Sequence, residues 1–298
     1  TTIDGANASR WLNIPILGMS FQTSTLATVV LLAYVADYFA TKREVKIRFI
    51  ESLLPLWLPV FLIVSLILPA NLSTALLLLF MVTVVAFLGG YPLKYLLSML
   101  GAAILGLVIF VLLAKAYPDA FPNRVDTWMS RIESFSGNGT NTTDYQIERA
   151  KAAVAVGGIV GIGAGKSMMK NVLPQSSSDF IYAIIAEEYG LIGALFLLFL
   201  FLLLLLRILV NANKSESFFG QLLILAMGIP IVTQAFINMG VAVALLPVTG
   251  QPLPLISSGG TSLWMTFFAV GIILSVSANR KAIEENESNP LATLSDEA

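Results

Sequence analysis

Asp179 is the side chain in this sequence best placed to do chemistry. It follows Ser176-Ser177-Ser178 and opens a largely apolar run that carries Glu187 and Glu188 and ends at Gly190. The chain has no histidine and no cysteine, which removes the commonest general base at neutral pH and all thiolate chemistry. Acid–base work must then fall to Asp, Glu, Lys or Tyr. Serines ahead of a helical run are good N-caps, and an acidic group near a helix start is favoured in its ionised form by the macrodipole. On local grounds Asp179 is therefore better explained as a helix-start residue than as a catalyst. On an ideal helix Glu187 falls about 80° around from Asp179 and Glu188 nearly opposite. Glu187 is thus the carboxylate expected to share a cavity with Asp179.

Groups that could hold an anion lie on both sides of this run in the sequence. Gly161-Ile162-Gly163-Ala164-Gly165-Lys166-Ser167 looks like a phosphate-binding loop at first sight, but that motif needs a glycine where Val160 stands, and a strand before it. A looser possibility survives, in which glycines let backbone amides approach an anion while Lys166 and Lys170 supply charge. The same lysines could simply mark a water interface. Downstream, the proline-rich stretch from Pro247 leads into Ser257-Ser258-Gly259-Gly260-Thr261. Its serines can cap the helix that follows, and free amides at such a helix start can hold an anion. A rigid turn is the plainer alternative.

The elements that must position these groups belong to lipid. Of 298 residues 57% are hydrophobic and 12% charged, about half the charged share of a soluble domain. Net charge is −1, which argues against nucleic acid as a partner. Apolar runs long enough to cross a bilayer fall at about 19–40, 51–69, 71–89, 93–114, 190–210, 218–240 and 258–278. The expected fold is all-α, a polytopic transmembrane bundle forming a single membrane domain over residues 1–298. Lys42, Arg43, Lys46, Arg48, Lys94, Arg207, Lys214, Arg280 and Lys281 all fall on one side of seven such spans, and the positive-inside rule makes that side cytoplasmic. Residues 115–189 then form one large extracytoplasmic loop, holding seven Lys/Arg and eight Asp/Glu. Within it, the stretch from Ala152 to Gly165 is too short to span and reads as re-entrant or interfacial. The acidic, polar tail 281–298 is expected to be a disordered cytoplasmic segment. From Asp179 to Val210 a continuous helix would be about 48 Å long, more than the ~30 Å hydrocarbon core. Its first turns must therefore project outward or line a wet cavity.

Three blocks carry a resemblance to a known family. Asn238-Met239-Gly240 with Leu246 to Gly260 resembles the signature of the SEDS proteins, the run from Asp179 to Gly190 is similar to their second marker, and Asn7-Ala8-Ser9-Arg10-Trp11 with Phe21-Gln22-Thr23-Ser24 resembles a third block. The resemblance implies ten spans, of which this chain would hold the last seven, in a multi-pass protein of the bacterial cytoplasmic (inner) membrane. It implies polymerisation of lipid II into glycan strands at the outer face, release of undecaprenyl pyrophosphate, and a class B penicillin-binding transpeptidase as partner. Asp179 would be the essential base. Lys166, Lys170, Arg149 and Arg10 would hold pyrophosphate, helped by Ser257, Ser258, Gly259 and Gly260, with Gln146 and Glu187 completing the substrate site. A divalent cation, Mg or Mn, could replace some of the lysine charge. Two departures stand out: Pro69-Ala70-Asn71-Leu72-Ser73-Thr74 lacks a carboxylate usual there, and Glu148-Arg149-Ala150 replaces a usual Gln-Ser. The resemblance leans to the division branch over the elongation branch. A lipid II flippase and a non-catalytic scaffold are the competing classes. Span middles nearly free of charge favour external chemistry over transport.

Overall fold

The computed structural model describes residues 11–14, 19–45, 47–116, 142–173 and 176–287. It opens with a hairpin in which β1 (Trp11–Ile14) pairs antiparallel with β2 (Met19–Gln22), Trp11 opposite Gln22. The helices follow as α1 (Thr23–Thr41), α2 (Phe49–Ile67), α3 (Leu72–Leu88), α4 (Leu93–Ala116), α5 (Thr142–Gly157), α6 (Ile181–Asn213), α7 (Phe218–Ala242) and α8 (Gly260–Glu287).

The seven expected spans correspond to α1–α4 and α6–α8. Five are long and apolar enough to cross a membrane: α1, α2, α6, α7 and the Gly260–Ala278 part of α8. α3, with 17 residues, and α4, with 24, complete the set. The first span begins at Thr23, not at residue 19, because Met19–Gln22 is committed to the hairpin. Pro55 lies inside α2, where it cannot donate a backbone hydrogen bond, and the turn around it widens into a π-segment over Leu53–Trp57. The Tyr34 hydroxyl donates to the Pro55 carbonyl. The disorder expected from Lys281 is corrected as far as Glu287, because α8 continues to that residue.

α7 is the most enclosed helix and packs against α1, α3, α5, α6 and α8. Small residues let neighbours approach it closely: a Cβ at Gly228 would meet the Ile208 side chain of α6 at 2.5 Å. One core cluster joins the first half of α7 to α1, α2 and α3 through Leu32, Phe39, Trp57, Val82 and Met227. The other joins its second half to α5 and α6 through Ala150, Phe180, Ala183, Ala235 and Met239. At one end of the bundle, the Arg43 guanidinium lies 4.7 Å over the Phe218 ring and Tyr91 bonds Ser52 (2.7 Å) and Trp57 (3.1 Å). Asp179, Thr74 and Gln251 gather at the other.

α6 is not the single overlong helix that its length suggests. Gly190 breaks it, with φ 66° and ψ −165°. Ile181–Tyr189 is a short separate helix, and the span proper runs from Leu191 to Asn213, about 34 Å at ~1.5 Å per residue. The broken ends are completed by the segment after α5. Leu191 and Ile192 donate backbone N–H groups to the carbonyls of Gly158 (2.9 Å) and Ile159 (3.2 Å). In return, Ile162 and Gly163 donate to the carbonyls of Glu187 (3.1 Å) and Glu188 (3.0 Å). Backbones this close leave no room for side chains. A Cβ at Gly157 would stand 2.0 Å from the Ala186 carbonyl oxygen, one at Gly161 2.2 Å from that of Glu188, and one at Gly190 2.4 Å from that of Ile159. The stretch from Ala152 to Gly165 is accordingly not one re-entrant element: its first half is the end of α5, and the rest is this crossing.

Candidate functional site

Asp179 is half-buried, and the backbone around it is held by three successive carbonyls. Ser177 O accepts from both the backbone N–H and the hydroxyl of Ser258, each at 3.0 Å. Ser178 O accepts from Ser257 Oγ at 2.6 Å, and Asp179 O from Asn238 Nδ2 at 2.8 Å. Asn238 also donates to Gln251 O at 2.8 Å, and the Gln251 amide donates to Thr74 Oγ1 at 2.9 Å. Four segments therefore meet here: the approach to α6, the end of α7, the loop before α8, and the start of α3. The carboxylate itself accepts from Ser178 Oγ at 2.9 Å. Its other oxygen faces Gly250, where a Cβ would lie 3.5 Å away and where φ is +66°.

Two local expectations are corrected by this geometry. Helix α6 begins at Ile181 with Phe180 as its N-cap and without a side-chain cap, so Asp179 lies before the helix. The 80° wheel angle to Glu187 does not apply. Nor do Ser257 and Ser258 spend their hydroxyls capping α8; those hydroxyls strap the Ser177–Ser178 backbone to the α7–α8 loop. Gly259 and Gly260 remain at the start of α8, where Leu263 N–H bonds Gly259 O at 2.9 Å. Asn238 Oδ1 and Thr261 Oγ1 are enclosed without a hydrogen-bond partner among the described residues.

Glu187 is fully buried (0% exposed). Its carboxylate accepts from Ser167 Oγ and from Met168 N–H at 3.2 Å, while Glu188 accepts from Ser167 N–H at 3.3 Å. Glu187 thus grips the lysine-bearing loop and presents no face to an open cavity. Lys166 and Lys170 are exposed on that loop. Ser176 Oγ bonds Lys170 O at 2.9 Å and ties the loop to the segment leading into Asp179. On α5, Gln146 and Arg149 are half-buried, and the Arg149 guanidinium lies 4.9 Å over the Tyr145 ring. Arg10 lies outside the described residues. Among the described residues no group of three or more acidic side chains comes together that could hold Mg or Mn.

Asn238 and Gln251 hold this site together without belonging to the candidate residues read from the sequence. The signal was available: an Asn in an apolar span is costly unless it is bonded, and Asn238 is 1% exposed. A bundle of apolar helices with its polar, strapped carboxylate at one end and Arg43 at the other defines a multi-pass membrane protein with a site at one end of its spans.

The model for the cell cycle proteins FtsW, RodA and SpoVE matches residues 2–282. The probable peptidoglycan glycosyltransferase FtsW of Enterococcus hirae is 34% identical over 297 residues, covering 96% of this chain and 71% of that protein. The protein of the same name from Bacillus subtilis (strain 168) is 32% identical over 292 residues, with 96% and 71% covered. Among solved structures, a chain from a peptidoglycan synthase complex that coordinates polymerization and crosslinking superposes with a TM-score of 0.74 at 28% identity, covering 94% of this chain and 75% of its own length. The rod shape determining protein RodA of Thermus thermophilus superposes with a TM-score of 0.63 at 25% identity, with 94% and 72% covered. The chain belongs to the FtsW, RodA and SpoVE family.

Proposed function

We propose that this chain is a peptidoglycan glycosyltransferase that polymerises lipid II at the outer face of the cytoplasmic membrane, in division wall synthesis. The observation that carries it is the fixing of Asp179: three consecutive carbonyls are bonded by Ser258, Ser257 and Asn238, which leaves the carboxylate beside a glycine. A side chain held this way is pre-organised to act as a base, at a spot where a sugar can approach without meeting a Cβ. The carboxylate takes the proton from the acceptor sugar hydroxyl as its oxygen attacks the anomeric carbon of the donor. The bond from that carbon to pyrophosphate breaks, and undecaprenyl pyrophosphate leaves. Lys166, Lys170 and the amides at the start of α8 neutralise the departing charge.

The division role rests on relatives named FtsW. A class B transpeptidase partner is supported by the similar chain having been solved in a synthase complex. The outward position of the site is supported by the cations at the opposite end of the bundle. Asp179→Asn keeps the shape and the Ser178 contact but removes the base. Glycan synthesis from purified lipid II, with the transpeptidase present, is expected to fall by roughly 10²–10⁴. Polymer formed by Asp179→Asn at the unsubstituted rate would refute the assignment.

A further inference from the structure

Ser167 occupies a position that the proposed chemistry does not use, yet its hydroxyl and its backbone N–H are both engaged. It is 8% exposed, in a loop whose neighbours Lys166 and Met168 are open to solvent. Its hydroxyl donates to the buried Glu187 carboxylate and accepts from Lys170 N–H at 3.0 Å. Its own N–H reaches Glu188 at 3.3 Å, and the next N–H, of Met168, reaches Glu187 at 3.2 Å. The hydroxyl thus joins Glu187 of the Ile181–Tyr189 helix to the Lys170 backbone, and the Ser167 N–H holds Glu188 of the same helix to the loop. The same helix begins two residues after Asp179. The Gly190 crossing fixes its far end, and Ser176 fixes the loop's exit.

We infer that Ser167 and Glu187 form a positioning couple, which sets the lysine loop at a fixed distance from Asp179 so that the donor's pyrophosphate meets Lys166 and Lys170 while its anomeric carbon faces the base. This rests on the pyrophosphate role proposed above for the lysines. The couple itself touches no substrate. A buried carboxylate needs its hydrogen bonds met; here they are met only when the loop is seated. Burying Glu187 is therefore a means of holding a flexible, glycine-rich segment that has few apolar contacts of its own.

The test uses the full chain in proteoliposomes with lipid II as the varied substrate. Ser167→Ala is expected to raise the KM for lipid II about tenfold while kcat changes less than about threefold, since the lost interaction is one of placement and not of proton transfer. Ser167→Thr restores the hydroxyl and should bring KM back to within about threefold. General damage to the fold gives the opposite pattern: fewer active molecules, hence a lower apparent kcat at unchanged KM. Should Ser167→Ala fail to fold, Glu187→Gln keeps the size with one fewer acceptor, and the expected rise in KM is again about tenfold. Faster amide hydrogen exchange over residues 163–171 in either variant should accompany the change.

Failure of the inference differs from failure of the lysine assignment. If Lys166→Ala/Lys170→Ala raises KM and Ser167→Ala does not, the couple positions nothing the substrate needs, and the inference is wrong. If the lysine pair leaves both KM and kcat/KM unchanged, the pyrophosphate role of the lysines falls, and the inference falls with it.

Discussion

Replacing Gly190 by alanine perturbs the point where the spanning part of α6 meets the loop. Two costs can be worked from the structure. Gly190 has φ 66° and ψ −165°, a backbone region essentially reserved for glycine, where an L-residue costs about 1–3 kcal/mol. The added Cβ would also stand 2.4 Å from Ile159 O and 2.5 Å from Gly161 N. Those are backbone atoms, so the crossing itself must open. The Leu191 and Ile192 hydrogen bonds are then stretched or lost, at about 1–3 kcal/mol each with their donors away from water. The sum is roughly 3–9 kcal/mol. Gly165 supplies the control: its φ is +75°, but nothing lies within 4 Å of its Cβ position, so Gly165→Ala should cost only the ~1–2 kcal/mol of backbone strain. The assay is the apparent melting temperature of detergent-solubilised protein, followed as loss of monodisperse material at one heating rate because unfolding will be irreversible. At about 2–4 °C per kcal/mol, Gly190→Ala should melt at least about 6 °C lower than wild type, and Gly165→Ala about a third as far. Equal shifts for the two variants would show that the close approach carries no energy.

Two further outcomes separate the site from the scaffold. Asn238→Ala removes the bracket that holds Asp179 O and Gln251 O; glycan synthesis per folded molecule should fall at least about tenfold, with a destabilisation of about 2 kcal/mol seen in the same melting assay. Tyr91→Phe removes a buried hydroxyl bonded to Ser52 and Trp57 at the other end of the bundle; it should lower stability by about 1–3 kcal/mol and leave the polymerisation rate of the folded fraction unchanged.

The spans were legible because lipid allows few alternatives: a run such as Leu195 to Leu206 has no other stable home, and the cations at the loop ends fixed their order. The site was legible in its residues but not in its wiring. Asp179, Ser257, Ser258 and Asn238 all stood in recognisable blocks, yet the serines looked like caps because capping is local and strapping across 79 or 81 residues is not. Gly190 looked like one more small residue in a helix. Its positive φ depends on Gly158 and Ile159, about thirty positions earlier, which no helical periodicity reports. The wheel placing Glu187 beside Asp179 failed for a similar reason, since the helix starts after the aspartate. The hairpin of β1 and β2 went unseen because Met19–Gln22 continues the apolar run of α1.

The Gly190 crossing also bears on how the chain is assembled in the membrane. A span that starts at Leu191 enters the bilayer with amide groups that an unbroken helix would have satisfied from its own preceding turn, and hydrocarbon offers them no substitute. Their partners, Gly158 and Ile159, are made earlier and must already have doubled back when Leu191 and Ile192 reach that depth. Insertion of this helix and closure of the segment after α5 are therefore coupled. A chain caught between them is left with both the span and the site unfinished.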